Sequence, residues 1–405
     1  MMASTARREA LQRMVGLCLL LALLPGHALT AGDKPPVLIG LDAEFGHKGS
    51  TSAQAVMQGM QIAVDEINLA GGVLEGRKLE LVICDNQSIP AIAVDNLRVL
   101  ADRTDLVGVF GAKFSPVVLE WLPVAHELNL PIFAPWSAAD GITDHHYHPS
   151  YSFRLSLKDS WAAPVLLRFA LAERQARRVG LLLPNTSWGR SNLAALRREA
   201  RHLGITLVGE RSYNWGDNSL LEQYQDLRSM GAEAIILIAN EVEGTILVKE
   251  VAALPKKQRL PIISHWGVTG GNFALLTGEA LKQVDFSVIQ TYSFIDAASP
   301  AAKRILAALK ANYSIENARK LQSPVGVAHA YDLTHLVARA INKAGSTDRR
   351  KIRDALEQLE PYDGLIQHYA QPFTPQRHDA LSPKQAFMAR YDEDGALVRI
   401  PWSQP

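Results

Sequence analysis

The stretch GMQIAVDEINLAGG at 59–72 sets Met60, Ala63, Val64 and Ile67 at three- and four-residue intervals, the one-sided spacing of a helix covering a sheet. Gly71 and Gly72 end it. The apolar run VLIGL (37–41) precedes it and KLELVIC (78–84) follows, each a short strand of the fully buried kind. Strand, helix, glycine stop and strand make a right-handed βαβ unit. The alternation continues through most of the chain. Further strands are predicted at 106–111, 131–135, 178–184, 206–213, 234–239 and 261–264. Helices are predicted at 56–68, 90–103, 116–128, 160–173, 189–203, 219–230 and 242–254, with two more at 300–313 and 324–344. Apolar strands separated by helices imply parallel sheets covered on both faces.

The pattern resets after His145-His146-Tyr147-His148-Pro149-Ser150, where Tyr151-Ser152-Phe153-Arg154 opens a second series. Near the end, QAFMARYDEDGALVRI (385–400) reads as an antiparallel hairpin turning at Asp392–Gly395. A chain of 405 residues exceeds one comfortable core, so two α/β halves are expected.

Residues 1–28 read differently. Arg7, Arg8 and Arg13 precede the apolar run 14–24, and Gly26-His27-Ala28 offers small residues for cleavage after Ala28. This is the layout of a secretory signal, too short to span a bilayer comfortably. Cys18 lies inside the apolar run, which excludes a lipoprotein attachment site. Without residues 1–28 the chain keeps 39 basic and 40 acidic residues, a balance that attracts neither nucleic acid nor anionic lipid. No later segment is long and apolar enough for a transmembrane helix. Cys84 is then the lone cysteine, so no internal disulfide is expected, and its apolar strand makes it a buried, inert thiol.

In open parallel sheets, ligands bind beyond the carboxyl ends of the strands. One such loop is Gly111-Ala112-Lys113-Phe114-Ser115-Pro116, where Ser115 reads as an N-cap and Pro116 as the first helical residue. A helix start of this kind can bind an anion, cap its own helix, or do both. Asn240 and Glu243 have the spacing of a capping box, and Glu241 beside them is either a helix-start acid or a ligand partner. Catalysis and metal binding find no support. The histidines at 145, 146 and 148 come without zinc-type spacing. His126-Glu127 lacks the second histidine of a zincin motif. Residues 189–193 lack the closing glycine of a nucleophile elbow, and 267–271 lack a phosphate-loop lysine.

The helix end AVDEIN-x-x-GG, followed by a strand that closes on Asp85, resembles one family. It is the branched-chain amino-acid (leucine/isoleucine/valine-binding) type of periplasmic substrate-binding protein, the receptor family of ABC transporters. The resemblance covers nearly the whole chain beyond residue 28. It implies an α/β fold of type I, two Rossmann-like lobes with parallel sheets flanked by helices, joined by a three-crossing hinge. Lobe 1 would comprise 34–152 and 293–372, and lobe 2 would comprise 153–292 and 373–405. The resemblance further implies a periplasmic protein that needs no cofactor, closes on a small-molecule solute and docks on an inner-membrane ABC permease. A sensor kinase or other membrane receptor is the alternative partner, and a periplasmic enzyme is the third class weighed.

The resemblance also supplies site residues. Ser115 matches a serine that grips the ligand's carboxylate, with Phe114 beside it. In Trp136-Ser137-Ala138, relatives often keep a hydroxyl residue where Ala138 stands, and a small residue where Trp136 stands. Trp136 would wall the pocket or simply pack the core. Trp188 matches an aromatic residue that covers the ligand from the second lobe. Trp266 occupies the position of the acid that pairs with an amino acid's α-ammonium, which leaves Glu241 or Asp140 as a substitute. Four aromatics at ligand loops imply a solute with a flat or apolar body, or a quaternary ammonium held over ring faces. A plain aliphatic amino acid is not expected.

Overall fold

The computed structural model describes residues 34–402 apart from 48 and 296, so the leader expected at 1–28 lies outside them. The first sheet holds β1 (Val37–Ala43), β2 (Leu79–Asp85), β3 (Leu106–Phe110), β4 (Ile132–Ala134) and β5 (Ser152–Arg154). They pair in the order β2-β1-β3-β4-β5, all parallel. The second sheet holds β6 (Arg178–Pro184), β7 (Thr206–Tyr213), β8 (Ala234–Leu237), β9 (Ile262–Ser264) and β10 (Phe286–Gln290). After a small hairpin, β11 (Tyr362–Asp363) with β12 (His368–Tyr369), come β13 (Phe387–Tyr391) and β14 (Leu397–Arg399). The second sheet runs β14-β13-β10-β9-β8-β6-β7, antiparallel where β13 meets β10 and β14.

Burial explains the layering. On β1 the side chains of Val37, Ile39 and Leu41 enter one apolar cluster with Val56, Met60 and Val64 of the helix Ser52–Leu69 and Leu333 of the helix Pro324–Ala344. Leu38 points the other way, to Leu97 and Trp121 of the helices Pro90–Ala101 and Ser115–Glu127. Successive residues on a strand face opposite sides, so one apolar run serves both cores. Each fully buried Leu, Val or Phe adds about 1.5–3 kcal/mol of transfer free energy. Edge strand β2 is exposed at Glu80 and Ile83, as an unflanked edge allows. Cys84 is buried.

The structure differs from the sequence reading in four places. Ser152–Arg154, expected to open the second series, pairs with β4 and completes the first sheet. Segment 377–380, expected in the second lobe, also joins this edge: Arg154 N donates to His378 O and Ala380 N to Arg154 O, both at 2.8 Å. Phe286–Gln290 was not expected as a strand, because Ser287 and Gln290 interrupt its apolar run; both polar side chains are buried and the segment is a central strand. The helix Arg349–Leu356 was not expected, since its basic residues hide a three-residue apolar face of Ile352, Ala355 and Leu356, with Asp348 capping Lys351 N at 2.9 Å.

Beside β5 lies a buried ionic knot. Arg154 is wholly buried; its Nε donates to Asp379 Oδ1 at 2.6 Å and one Nη donates to the carbonyls of Ala138 and Ala139, at 3.2 and 2.8 Å. Lys158 Nζ reaches Asp379 Oδ2 at 3.4 Å and Asp144 Oδ1 at 2.7 Å. Asp379 therefore ties the edge of the first sheet to the loop after β4. Burial pushes its carboxyl up, but Arg154 and Lys158 outweigh that and hold it below its ordinary 3.8.

Removing half of such a pair leaves an uncompensated charge. Asp379→Asn is expected to lower the unfolding free energy by about 3–5 kcal/mol in urea titrations at neutral pH. Because the folded-state value is depressed, this contribution is present above the unfolded value of 3.8 and is lost as pH falls below it. The gap between wild type and variant should therefore stay level from about pH 6 to 8 and narrow below about pH 4. A gap that widened on acidification would contradict the assignment.

Candidate functional site

The loops after β3 and β4 in the first lobe, and after β6, β8 and β9 in the second, leave the carboxyl ends of their strands and face one another. Between them remains a cavity of only about 10 Å3. Phe114, Ser115, Trp136 and Ala138 line it from one side, Trp188 and Trp266 from the other. Six of the eight expected residues thus meet. Lys113, Trp215 and Asn240 join them, residues that the sequence reading had not placed against a ligand. The remaining space holds about one water at most, so the side chains themselves fill the cleft and the lobes are shut. A groove of about 910 Å3 lies elsewhere, open and rimmed by Lys282, Arg319 and Asp394; among the expected ligand loops only Thr269 and Gly271 touch it.

Hydroxyl groups stitch the first-lobe loops together. The helix begins at Ser115 itself, so Ser115 makes no side-chain cap bond, contrary to expectation. Its Oγ instead accepts from Ala138 N and Ala139 N, both at 3.2 Å. Ser137 is not in the cavity wall: its Oγ donates to Ala112 O at 2.6 Å. Ser156 Oγ donates to Trp136 O at 2.7 Å. Behind them His329 is buried in the helix Pro324–Ala344, and burial drives its imidazole down to about 4, against the pull of the Pro135 carbonyl. Neutral His329 donates from Nδ1 to Pro135 O at 2.8 Å, leaving Nε2 to accept from Thr291 Oγ1 at 2.9 Å. Trp136, Ser137 and Ala138 therefore sit on a frame anchored at five points.

The second lobe offers aromatic faces. Trp188 is the second residue of the helix Ser187–Leu203, whose cap is Thr186 Oγ1 accepting from Gly189 N at 3.2 Å. Its Nε1 donates to Asp159 Oδ1 at 3.3 Å, and its ring meets His265 edge-on at 5.2 Å. His265 Nε2 lies 3.3 Å from the same Asp159 oxygen. Asp159 N in turn donates to Ala138 O at 2.9 Å, which links Trp188 to the first-lobe loop through one residue. Gly267 is required here: a Cβ would stand 2.4 Å from Ala239 O and 2.8 Å from the Trp188 ring. Trp266 lies across the cleft from Trp136, ring centres 5.8 Å apart, with His329 behind it at 5.6 Å.

Glu241 is a helix-start acid, as one of its two expected roles had it, and it also pairs across the cleft. It is fully buried and its Oε2 receives Lys113 Nζ at 2.6 Å, a bond from lobe to lobe. Asn240 makes no side-chain cap bond, so the expected capping box with Glu243 is not formed. Further bonds cross the same gap: Thr51 N donates to Gly270 O at 2.8 Å, and Ser323 Oγ donates to Thr269 O at 2.8 Å. The sequence held one signal for Lys113, a single charge in an otherwise uncharged strand-end loop. For Asp159 it held none, because an acid at a helix start is explained by the helix dipole.

Ser115→Ala orphans two buried N–H groups, whereas Ser137→Ala orphans one carbonyl with a second lone pair. Urea denaturation should show a loss of about 1–3 kcal/mol for Ser115→Ala and about 1 kcal/mol for Ser137→Ala. Equal losses would mean that Ser115 does not hold the loop.

Comparison with known proteins agrees with this architecture. Residues 36–396 match the family model described as periplasmic binding protein. A Leu/Ile/Val-binding protein homolog 7 of Brucella melitensis is 24% identical over 397 residues, covering 94% of each chain. The crystal structure of a type 1 periplasmic binding protein from Bordetella pertussis superposes with a TM-score of 0.80 at 22% identity, covering 90% of this chain and 100% of that one. A solute-binding protein of an ABC transporter from R. palustris, solved with benzoate, gives 0.72 at 15% identity, covering 90% and 95%. Among the described residues no helix is long and apolar enough to cross a membrane. Family and fold are those of substrate-binding proteins rather than enzymes. The chain belongs to the periplasmic binding protein family.

Proposed function

We propose that this chain is exported by its first 28 residues, cleaved near Ala28, and captures a small organic solute for an inner-membrane ABC permease. The solute has a carboxylate or carbonyl end and a flat or apolar body, and is not a plain aliphatic amino acid. The observation that carries this reading is the meeting of Trp136, Trp188 and Trp266 around one cavity whose first-lobe wall carries Ser115 and Ala138. Stacking on such rings contributes about 0.5–1.5 kcal/mol per contact beyond area burial. The acidic or carbonyl end would sit at Ser115 and the N–H groups of Ala138 and Ala139, exchanging the present bond to Ser115 Oγ for one to the ligand. Lobe 1 (34–152 and 293–372, extended by residues 153–154 and 377–380) receives the solute. Lobe 2 then closes over it by bending at the three crossings.

The benzoate-bound neighbour supports an aromatic acid as one ligand class that the fold accepts. Relatives named for solute binding and transport favour delivery to a permease over the sensor alternative.

Native mass spectrometry of the purified protein, followed by thermal shift against a solute panel, tests the reading. Ligand at ~100 times its Kd adds about 2.7 kcal/mol, a clear rise in Tm. Aromatic monocarboxylates are expected to give that rise and leucine to give little. A strong shift with leucine and none with any aromatic acid would overturn it.

A further inference from the structure

We propose that Lys113 determines specificity by supplying, from the chain itself, the ammonium that an amino-acid ligand would bring, so that the cleft takes carboxylic acids lacking one. This rests on the reading of the cleft as the solute site. Lys113 Nζ lies 2.6 Å from Glu241 Oε2 and 3.5 Å from Gly270 O, and stands 4.9 Å from the centre of the Phe114 ring. Both side chains of the pair are almost wholly removed from solvent. Glu241 is one of the two acids available as a substitute ammonium partner, and Lys113 already occupies it. Asp140, the other, accepts from Ser160 N at 2.9 Å. Asp159 accepts from the Trp188 indole through Oδ1 and lies beside His265, while its buried Oδ2 has no hydrogen-bond partner among the described residues.

The backbone is shaped for this pair. A Cβ at Gly270 would stand 2.5 Å from Lys113 Cδ, and one at Gly271 would stand 2.4 Å from Glu241 Cγ. Two successive glycines thus leave the channel through which a first-lobe lysine reaches a second-lobe acid. Of the eleven residues lining the cavity, Lys113 is the one that is charged, and Glu241 supplies its counter-charge. A ligand ammonium entering here would have to compete with Lys113 for Glu241 in a dry site, where one of the two cations is left short of a counter-charge. A carboxylate meets Ser115, two loop N–H groups and the Lys113 cation. The same logic excludes a quaternary ammonium, despite the ring faces.

Isothermal titration with ligand pairs that differ only in the α-ammonium tests this: 3-phenylpropanoate against phenylalanine, and 4-methylpentanoate against leucine. Wild type should bind the acid of at least one pair at least tenfold more tightly than its amino-acid partner. Lys113→Met frees Glu241, and the preference should move by a hundredfold or more toward the amino acid. Lys113→Arg, which keeps the cation, should hold the wild-type ratio. The double variant Lys113→Met with Glu241→Gln should lose the ammonium preference again. A ratio in folded Lys113→Met within threefold of wild type, with all affinities moving together, would make the pair a closure bond only and overturn the proposal. Wild type favouring the amino acid overturns it without recourse to any variant. Wild type binding neither member of either pair while a different solute class co-purifies overturns the proposed function itself, and this proposal with it.

Discussion

Parallel strands force the chain to leave each carboxyl end through a loop that opens into a helix, and here both sheets aim those loops at one gap. Everything at the candidate site follows from that constraint. Ser115 and Trp188 each sit in the first turn of a helix, and Trp136 and Trp266 each follow a three-residue strand. No single element builds the site. Two half-sites, one from each lobe, meet at one cavity.

Magnitudes separate what holds the lobes shut from what selects the guest. Aromatic contact between Trp136 and Trp266 adds about 0.5–1.5 kcal/mol beyond burial of their area. The Lys113–Glu241 pair forms only when the lobes meet, and desolvating its two ions costs several kcal/mol each, about what their attraction returns. Burial of the rings therefore favours closure, while the ion pair is close to neutral; under the proposal for Lys113 it would act through the penalty for a mismatched charge. Hydrogen bonds from Thr51 N and Ser323 Oγ fix the register of the closed lobes. Asp379 and Arg154, one edge away, hold the Ala138 loop against β5.

Much of this was legible in the sequence, for physical reasons. Strands buried on both faces leave continuous apolar runs, so VLIGL and RVGLLLP announce β1 and β6 almost to the residue. Strand β10 was obscured because it buries Ser287 and Gln290, and polar side chains in a core read as loop. Ser152–Arg154 was displaced to the wrong half because three residues carry no period and the histidine-rich loop before it looked like a boundary. At the site, proline and serine at a helix start made the Ser115 loop visible, and tryptophans at strand ends drew attention to themselves. What could not be seen were partners distant in sequence: Glu241 looked like a helix-start acid until Lys113, from the other lobe, was found beside it. The capping box at Asn240 had the right spacing, yet Asn240 makes no side-chain cap bond.

The central claim is that both lobes close on one solute held between Ser115 and the tryptophan faces. The most direct measurement is the distance distribution, by pulsed electron resonance, between spin labels on the helices Pro90–Ala101 and Ser187–Leu203, with Cys84 replaced by serine. Saturating aromatic acid is predicted to collapse a broad, longer distribution onto one short distance. A distribution that stays the same while calorimetry shows the acid bound would contradict the account.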